Sequence, residues 1–316
     1  MAYIIKSDVA VEDPNGRFPY FTRFGITHPD IKNYMDNLES VGYLMNKKEF
    51  DGLNRFIRTL ESRSLWINVL EVYPFIGNSI ASATIKLKPF KLTQLSVKNT
   101  STSASLSLKD NWDITPDGNV IGIKNNREYQ ETYTSCFDTG LVVDDLNQDW
   151  GFSAYVLDTE IVNTPDRSHS LFGASLDEFA QHQVLVEYRN WNDVGIGGCL
   201  VSASNRSGRG YGNIPLDYVP GGRVLQFTCD RSELMALSGD TTVLDVTAPS
   251  YTYPKSEERP IYLLSKSPFS GGIMQGFNGG MRFAMVENKS SRLEDKKIIN
   301  QAIVDLMTDL GKNWGV

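Results

Sequence analysis

The stretch Asn205-Arg206-Ser207-Gly208-Arg209-Gly210-Tyr211-Gly212-Asn213 concentrates two guanidinium groups and a phenol ring among glycines. Guanidinium groups grip phosphate or sugar through charge and hydrogen bonds, and an aromatic face stacks on a ring. Trp191, set between Asn190 and Asn192, adds a second aromatic face flanked by amides, a pairing common in carbohydrate sites. Trp191, Arg206, Arg209 and Tyr211 are therefore the candidate ligand residues. The plainer readings are a surface loop whose glycines let it turn or fit a neighbouring subunit, and a half-buried Trp beside a turn.

A strand-borne glycosidase needs carboxylates at alternate positions, as in Glu-x-Asp-x-x-Glu, so that both acids line one face. That spacing does not occur. Asp144-Asp145 and Glu257-Glu258 are adjacent pairs and read as solvated loops. Asp145-Leu146-Asn147-Gln148-Asp149 begins like a calcium loop. Its sixth position is Trp150 and its twelfth is Val156, where such a loop needs Gly and a bidentate Glu, so it reads as a polar turn. His28, His169 and His182 are scattered, and the cysteines lack Cys-x-x-Cys spacing, so no metal site is expected. Gly195-Ile196-Gly197-Gly198 lacks the third glycine of a dinucleotide fingerprint. No Gly-x-Ser-x-Gly elbow is present. No catalytic residue and no cofactor is expected.

Composition sets the class. The 316 residues carry a formal net charge of −7 and are 41% apolar, which suits a globular chain with a real core and not a nucleic-acid binder. Cys136, Cys199 and Cys229 are odd in number and far apart, which reads as reduced thiols and not a disulfide framework. Met1–Ala10 holds Lys6 and Asp8 without a long apolar core, so it is not read as a signal peptide. No run is long and apolar enough to span a membrane.

Three regions follow. Residues 1–27 read as an arm with a turn at Asp13-Pro14-Asn15-Gly16; its aromatics, Phe18, Tyr20, Phe21 and Phe24, must pack on the chain's own body or insert into a partner. Residues 28–77 read as a helical docking region. Thr27 to Asp30 has capping-box spacing, Ile31, Tyr34, Met35 and Leu38 recur on one face, and Asn46 with Glu49 opens a second helix. A third short helix is expected over Leu65–Tyr73, stopped by Pro74. Residues 78–316 hold many short β-rich segments, among them Thr84–Leu87, Gln94–Val97, Ser103–Leu108, Val120–Ile123, Arg223–Cys229 and Met281–Val286, with a hairpin signal at Asp117-Gly118-Asn119. Such spacing predicts a sandwich or jelly roll. A closing helix runs from Ser291-Arg292-Leu293-Glu294 to Gly311.

Particular residues carry a resemblance. Ser64-Leu65-Trp66, Val69 and Val72-Tyr73-Pro74-Phe75-Ile76-Gly77 form an aromatic-Pro-Phe turn, followed by Ile85-Lys86-Leu87-Lys88 where a first strand belongs. Phe137-Asp138-Thr139-Gly140-Leu141 is an Asp-Thr-Gly-Leu signature, and Trp150–Tyr155, Ser170–Ala174 and Gly279-Gly280 fall at later strands. Over residues 45–316 the chain resembles tailed-phage virion and tail proteins with a concanavalin A-like, laminin-G-like jelly-roll domain. Residues 195–222 are an insert without a counterpart.

The resemblance implies a mainly β fold: a concanavalin A-like jelly-roll sandwich with a short N-terminal helical region and a C-terminal helix. It implies a structural virion component, such as a tail fibre, collar, baseplate or head-decoration subunit, assembled in the host bacterial cytoplasm. Its partners would be other virion proteins and copies of itself, a trimer being frequent among such symmetric assemblies. The alternative is a glycan-binding module that recognises a host surface.

Overall fold

The computed structural model describes residues 20–22, 24–99, 112–125, 135–147, 149–157, 167–175, 183–190, 199–206, 208–214, 222–230, 233–247, 258–265 and 279–313. The chain opens with a hairpin of β1 (Tyr20–Thr22) and β2 (Gly25–Thr27), then α1 (Pro29–Ser40) and α2 (Lys47–Glu61). A 3-10 turn, Trp66–Asn68, leads into β3 (Val69–Tyr73), and a single turn of helix, α3 (Ile80–Ala83), follows. The strands β4 (Ser96–Asn99), β5 (Trp112–Ile114), β6 (Val120–Asn125), β7 (Ser135–Val142) and β8 (Trp150–Leu157) begin the sandwich. It continues through β9 (Arg167–Ser175), β10 (Gln183–Asn190), β11 (Cys199–Arg206) and β12 (Gly208–Ile214). β13 (Arg223–Asp230), β14 (Glu233–Ser238), β15 (Thr241–Thr247), β16 (Pro260–Leu263), β17 (Gly279–Glu287) and α4 (Leu293–Asp309) complete it.

Two antiparallel sheets face each other, as a jelly-roll sandwich requires. One runs β12-β11-β10-β9-β16-β7-β4; the other runs β15-β14-β13-β8-β17-β6-β5, with β3 added beside β17. Strand alternation builds the core between them. β8 sends Trp150, Phe152, Ala154 and Val156 into it, β13 sends Leu225 and Phe227, and β10 sends Val184 and Val186 from the opposite sheet. Phe152 stacks on Phe172 at 4.6 Å between ring centroids.

The other face of the eight-stranded sheet is buried at its centre as well. Tyr155, Val224, Phe283 and Met285 point away from the sandwich core into a second core with α1, α2 and α4. Alternation lets β17 serve both cores, with Ala284 and Val286 on one side and Phe283 and Met285 on the other, and a register shift between Met281 and Phe283 sets Met281 on the side of Ala284. The architecture is therefore three layers: helices, eight-stranded sheet, seven-stranded sheet.

This arrangement revises several expectations. The apolar stripes of 28–77 cover the chain's own sheet, and Phe56 meets Phe283 edge-on at 5.4 Å. Leu65–Tyr73 is not a third helix. It is the 3-10 turn and β3, whose five residues are all buried. Thr84–Leu87 is no regular strand, only a segment held by bridges Ile85–Gln94 and Val72–Lys88. The cap of α1 is His28, not Thr27: its Nδ1 accepts from the Asp30 N–H at 3.1 Å. Asn46 and Glu49 do form the expected capping box. At α4 the cap is Arg292, while Ser291 turns its hydroxyl to Glu287. Asp117-Gly118-Asn119 does turn β5 into β6, with Gly118 at φ +87. Ser103–Leu108 lies outside the described residues.

A buried ion pair pins the layers together. Lys86, fully buried, donates to Glu71 Oε1 at 2.8 Å and to the Thr139 carbonyl. The second oxygen of Glu71 accepts from the Tyr73 hydroxyl, and Phe90 N–H donates to the first at 3.2 Å. Thr139 Oγ1 donates to the Ile261 carbonyl at 2.7 Å and accepts from Leu141 N–H at 3.0 Å. Burial pushes the Glu71 carboxyl up and the Lys86 ammonium down, and each charge partly offsets the other's cost. Losing one partner strands the other in a dry site. Lys86→Met or Glu71→Gln alone is expected to cost about 3–5 kcal/mol, and the double change Glu71→Leu with Lys86→Met clearly less than the sum. Urea unfolding of the three variants checks this.

Candidate functional site

The glycine-rich insert is not a loop. Residues 199–206 and 208–214 form a hairpin that makes one edge of the seven-stranded sheet. β12 reads Gly-Arg-Gly-Tyr-Gly-Asn-Ile, so glycine occupies every second position. Gly210 pairs with Ala203, and Ala203 with Val186, a core residue of β10. The glycines thus fall at core-side register positions. There β12 comes close to β15, the corresponding edge of the other sheet. Missing side chains at these positions let the two edges converge.

The alternate positions carry the candidate chemistry. Arg209 lies across from Ser204 and Tyr211 across from Ser202. Ser204 pairs in turn with Leu185, Ser202 with Glu187, and Arg206 with Gln183. Arg206, Arg209 and Tyr211 therefore share one face, opposite to that of Val184 and Val186. Glu187 pairs onward with Ser170, which is buried and whose hydroxyl has no partner among the described residues. Trp191 lies outside the described residues, so only three of the four candidates are brought together. Of the arm aromatics, Phe24 packs on Phe50 of α2 at 5.2 Å between centroids, on the chain's own body. Tyr20 and Phe21 sit in the β1 hairpin, and Phe18 lies outside the described residues.

A second constellation was not anticipated. A cleft of about 430 Å³ is lined by His28, Asp30, Glu61, Ser64, Trp66, Ile67 and Lys88. His28 Nε2 lies 3.1 Å from Glu61 Oε1, and Trp66 Nε1 donates to Asp30 Oδ2 at 2.9 Å. Lys88 Nζ donates to the Trp66 carbonyl at 2.8 Å and sits 4.7 Å from the centre of the Trp66 ring. Burial lowers the Lys88 ammonium, and the Asp30 and Glu61 carboxylates oppose that. These contacts tie the start of α1 to the end of α2 and to the segment before β4. The indole is 5% exposed and Lys88 lies against its ring, so this is a structural joint more than a stacking platform. Its sequence signal was the His28-Pro29-Asp30 turn, read only for its capping value.

The acidic turn after β7 also works structurally. Asp145 accepts from Val142 N–H at 2.9 Å and pairs with Lys91 at 2.7 Å, and Asn147 Nδ2 donates to the Asn288 carbonyl at 2.7 Å. Cys229 is buried in the sandwich core and forms no disulfide.

The C-terminal tail holds a strongly perturbed lysine. Past the end of α4, Gly311 adopts φ +68 and Lys312 N–H reaches back to the Met307 carbonyl at 2.8 Å, closing the helix as a Schellman turn. The Lys312 side chain then runs inward, donating to the Pro74 and Phe75 carbonyls at 2.7 Å each. Arg282 clamps the same tail through the Lys312 and Asn313 carbonyls while pairing with Asp113. Burial pushes the Lys312 ammonium down to about 7, with Arg282 adding repulsion and Glu49 and Asp113 opposing it.

No protein-family model and no curated protein matches the chain. Among solved structures, domain 4 of an extracellular arabinanase from Geobacillus stearothermophilus, in complex with arabinotriose, is similar at 10% identity and a TM-score of 0.46, over 74% of this chain and 98% of that one. A sialidase carbohydrate-binding module of Ruminococcus gnavus, bound to α2,3-sialyllactose, is similar at 9% identity and a TM-score of 0.42, over 57% and 96%. The binding domain of botulinum neurotoxin DC, in complex with SialylT, is similar at 9% identity and a TM-score of 0.44, over 74% and 50%. The architecture described above rests on the strand order and register themselves.

Lys312 gives a pH-dependent stability with a definite sign. Its folded value near 7 lies below the ordinary 10.5, so the unfolded chain binds the extra proton between those limits. The destabilising cost is complete below pH 7 and is relieved as pH rises. Wild type is expected to gain on Lys312→Met by up to about 1.4 kcal/mol per pH unit between pH 7 and 9. Urea unfolding of both proteins at pH 6, 7, 8 and 9 reads the difference; a constant difference would show that Lys312 does not titrate there.

Proposed function

We propose that this chain is a non-catalytic recognition module that binds a glycan on the outer face of β9 to β12. The observation that carries this reading is the register. It gathers Arg206, Arg209 and Tyr211 on one face, interleaved with Ser202, Ser204, Gln183 and Glu187 and with the apolar positions Leu185 and Leu200. A face built from guanidinium, phenol, hydroxyl and amide positions offers donors, acceptors and a stacking ring to a hydroxyl-rich ligand. The layer order supports it. Helices cover the centre of the eight-stranded sheet, and that sheet covers the inner face of the seven-stranded one. That leaves the outer face of the seven-stranded sheet, where Ser170 of β9 and Tyr262 of β16 are themselves buried and β10 to β12 carry the candidate positions. The carboxylates best held in the fold, Glu71 and Glu287, are bound to buried lysines, which suits ion pairing and not acid–base work.

A place in a tailed-phage virion stays tied to the sequence resemblance. A fibre or decoration subunit that binds glycan satisfies both readings, and self-association would belong to that setting. Immunogold labelling of purified particles tests the placement separately.

Glycan-array screening of the full chain, followed by calorimetric titration of the best ligand, tests the recognition reading. Tyr211→Ala and Arg209→Ala are each expected to weaken binding by about tenfold or more, as loss of one stacking or charged contact does. Unchanged thermal midpoints would show that the variants fold. Undiminished binding in both variants would remove this face from the site, and a chain that binds no glycan would end the reading.

A further inference from the structure

We infer that the ligand of this face is an acidic glycan, one bearing carboxylate or sulfate groups; this rests on the glycan reading above. The whole chain carries a net charge of −7, yet the outer register positions of β10 to β12 reverse that balance. Arg189, Arg206 and Arg209 occupy them with Glu187 as the one acid. The same parity that puts Arg209 across from Ser204 puts Arg206 two residues beyond Ser204, and Arg189 two residues beyond Glu187.

The spacing suits an oligosaccharide. Successive same-face positions along a strand lie about 7 Å apart, and neighbouring strands about 4.8 Å apart. Arg206 and Arg209 are then diagonal neighbours near the β11–β12 turn, and Arg189 lies roughly 17 Å from Arg209, two rows along and two strands across. Tyr211 occupies the row between them. A chain of two or three sugar rings spans that distance with one ring level with Tyr211 and its anionic groups toward the arginine positions. Guanidinium pairs with carboxylate or sulfate in fork geometry, which neutral sugars cannot use.

The test is titration of the full chain with matched probes at low and physiological salt. These are sialyllactose against lactose, oligogalacturonate against its carboxyl-reduced form, a sulfated heparin oligosaccharide, and a single-stranded oligodeoxynucleotide. At least one acidic sugar is expected to bind about tenfold or more tighter than its neutral partner, with the preference shrinking as salt rises. The double change Arg206→Gln with Arg209→Gln is expected to erase the preference while the thermal midpoint holds. Carboxylate and sulfate probes separate the two anion types. Equal binding of acidic and neutral partners would overturn the acidic inference and leave the glycan reading standing. Binding of the oligonucleotide as tightly as of any sugar would overturn it as general polyanion attraction. Binding of no probe, together with an empty array, would bring down both.

Discussion

The buried pair of Glu71 and Lys86 is the constraint around which the layers are arranged. Two opposite charges in a dry interior are tolerated only when every remaining polar valence is met. Here the partners come from different parts of the chain: Tyr73 from β3, Phe90 from the segment before β4, and Thr139 from β7. Thr139 extends the network to β16 through the Ile261 carbonyl. β3 belongs to the eight-stranded sheet through β17, while β7 and β16 belong to the seven-stranded one. The network thus fixes how one sheet sits on the other at the end remote from β12. Gly140, at φ +77, lets the chain turn beside Thr139 where Leu92 presses close.

Fixing that end has a consequence at the other. The centre of the eight-stranded sheet, β8, β13 and β17, spends both faces on internal packing, and charges there are paired: Glu287 with Lys296 of α4, and Arg282 with Asp113. The proposed recognition face lies on the other sheet, at the edge that β11 and β12 form. Glycine at alternate positions of β12 is compatible with both demands. It removes bulk where the sheets converge and leaves Arg209, Tyr211 and Asn213 on the other face.

Much of this was legible in the residues. The Asn46–Glu49 box, the Asp117-Gly118-Asn119 turn and the Gly311 stop act locally, and local signals survive into the fold. The aromatic-Pro-Phe turn and the Asp-Thr-Gly-Leu signature mark the two halves of the polar seam: Tyr73 and the Pro74 and Phe75 carbonyls on one side, Thr139 and Gly140 on the other. What misled were elements whose pattern comes from tertiary context. β3 is buried on both faces, so its apolar run has no period of two and mimics a helix. β12 carries so much glycine that propensity speaks for a loop, since glycine is depleted in strands. Only its alternation with Arg209 and Tyr211 betrayed a strand, and that pattern means little until the pairing with β11 is known.

The same reasoning explains why the candidate site divided as it did. Trp191, Arg206, Arg209 and Tyr211 were grouped by chemical type and nearness in sequence, with no view of parity. Pairing turned three of them into a surface because 206 and 204 share parity on β11, and 204 lies opposite 209. Glu187 and Arg189 were invisible to a motif search, since β10 is separated from the hairpin in sequence, yet the register sets them in adjacent rows. In the helical layer the reverse happened. His28, Asp30, Glu61, Trp66 and Lys88 look like a reactive set, but their hydrogen bonds run to each other and to the backbone, joining α1 to α2. A site for a ligand needs valences left over. By that criterion the charge-rich cleft, whose groups are spent on one another, is a joint of the helical layer.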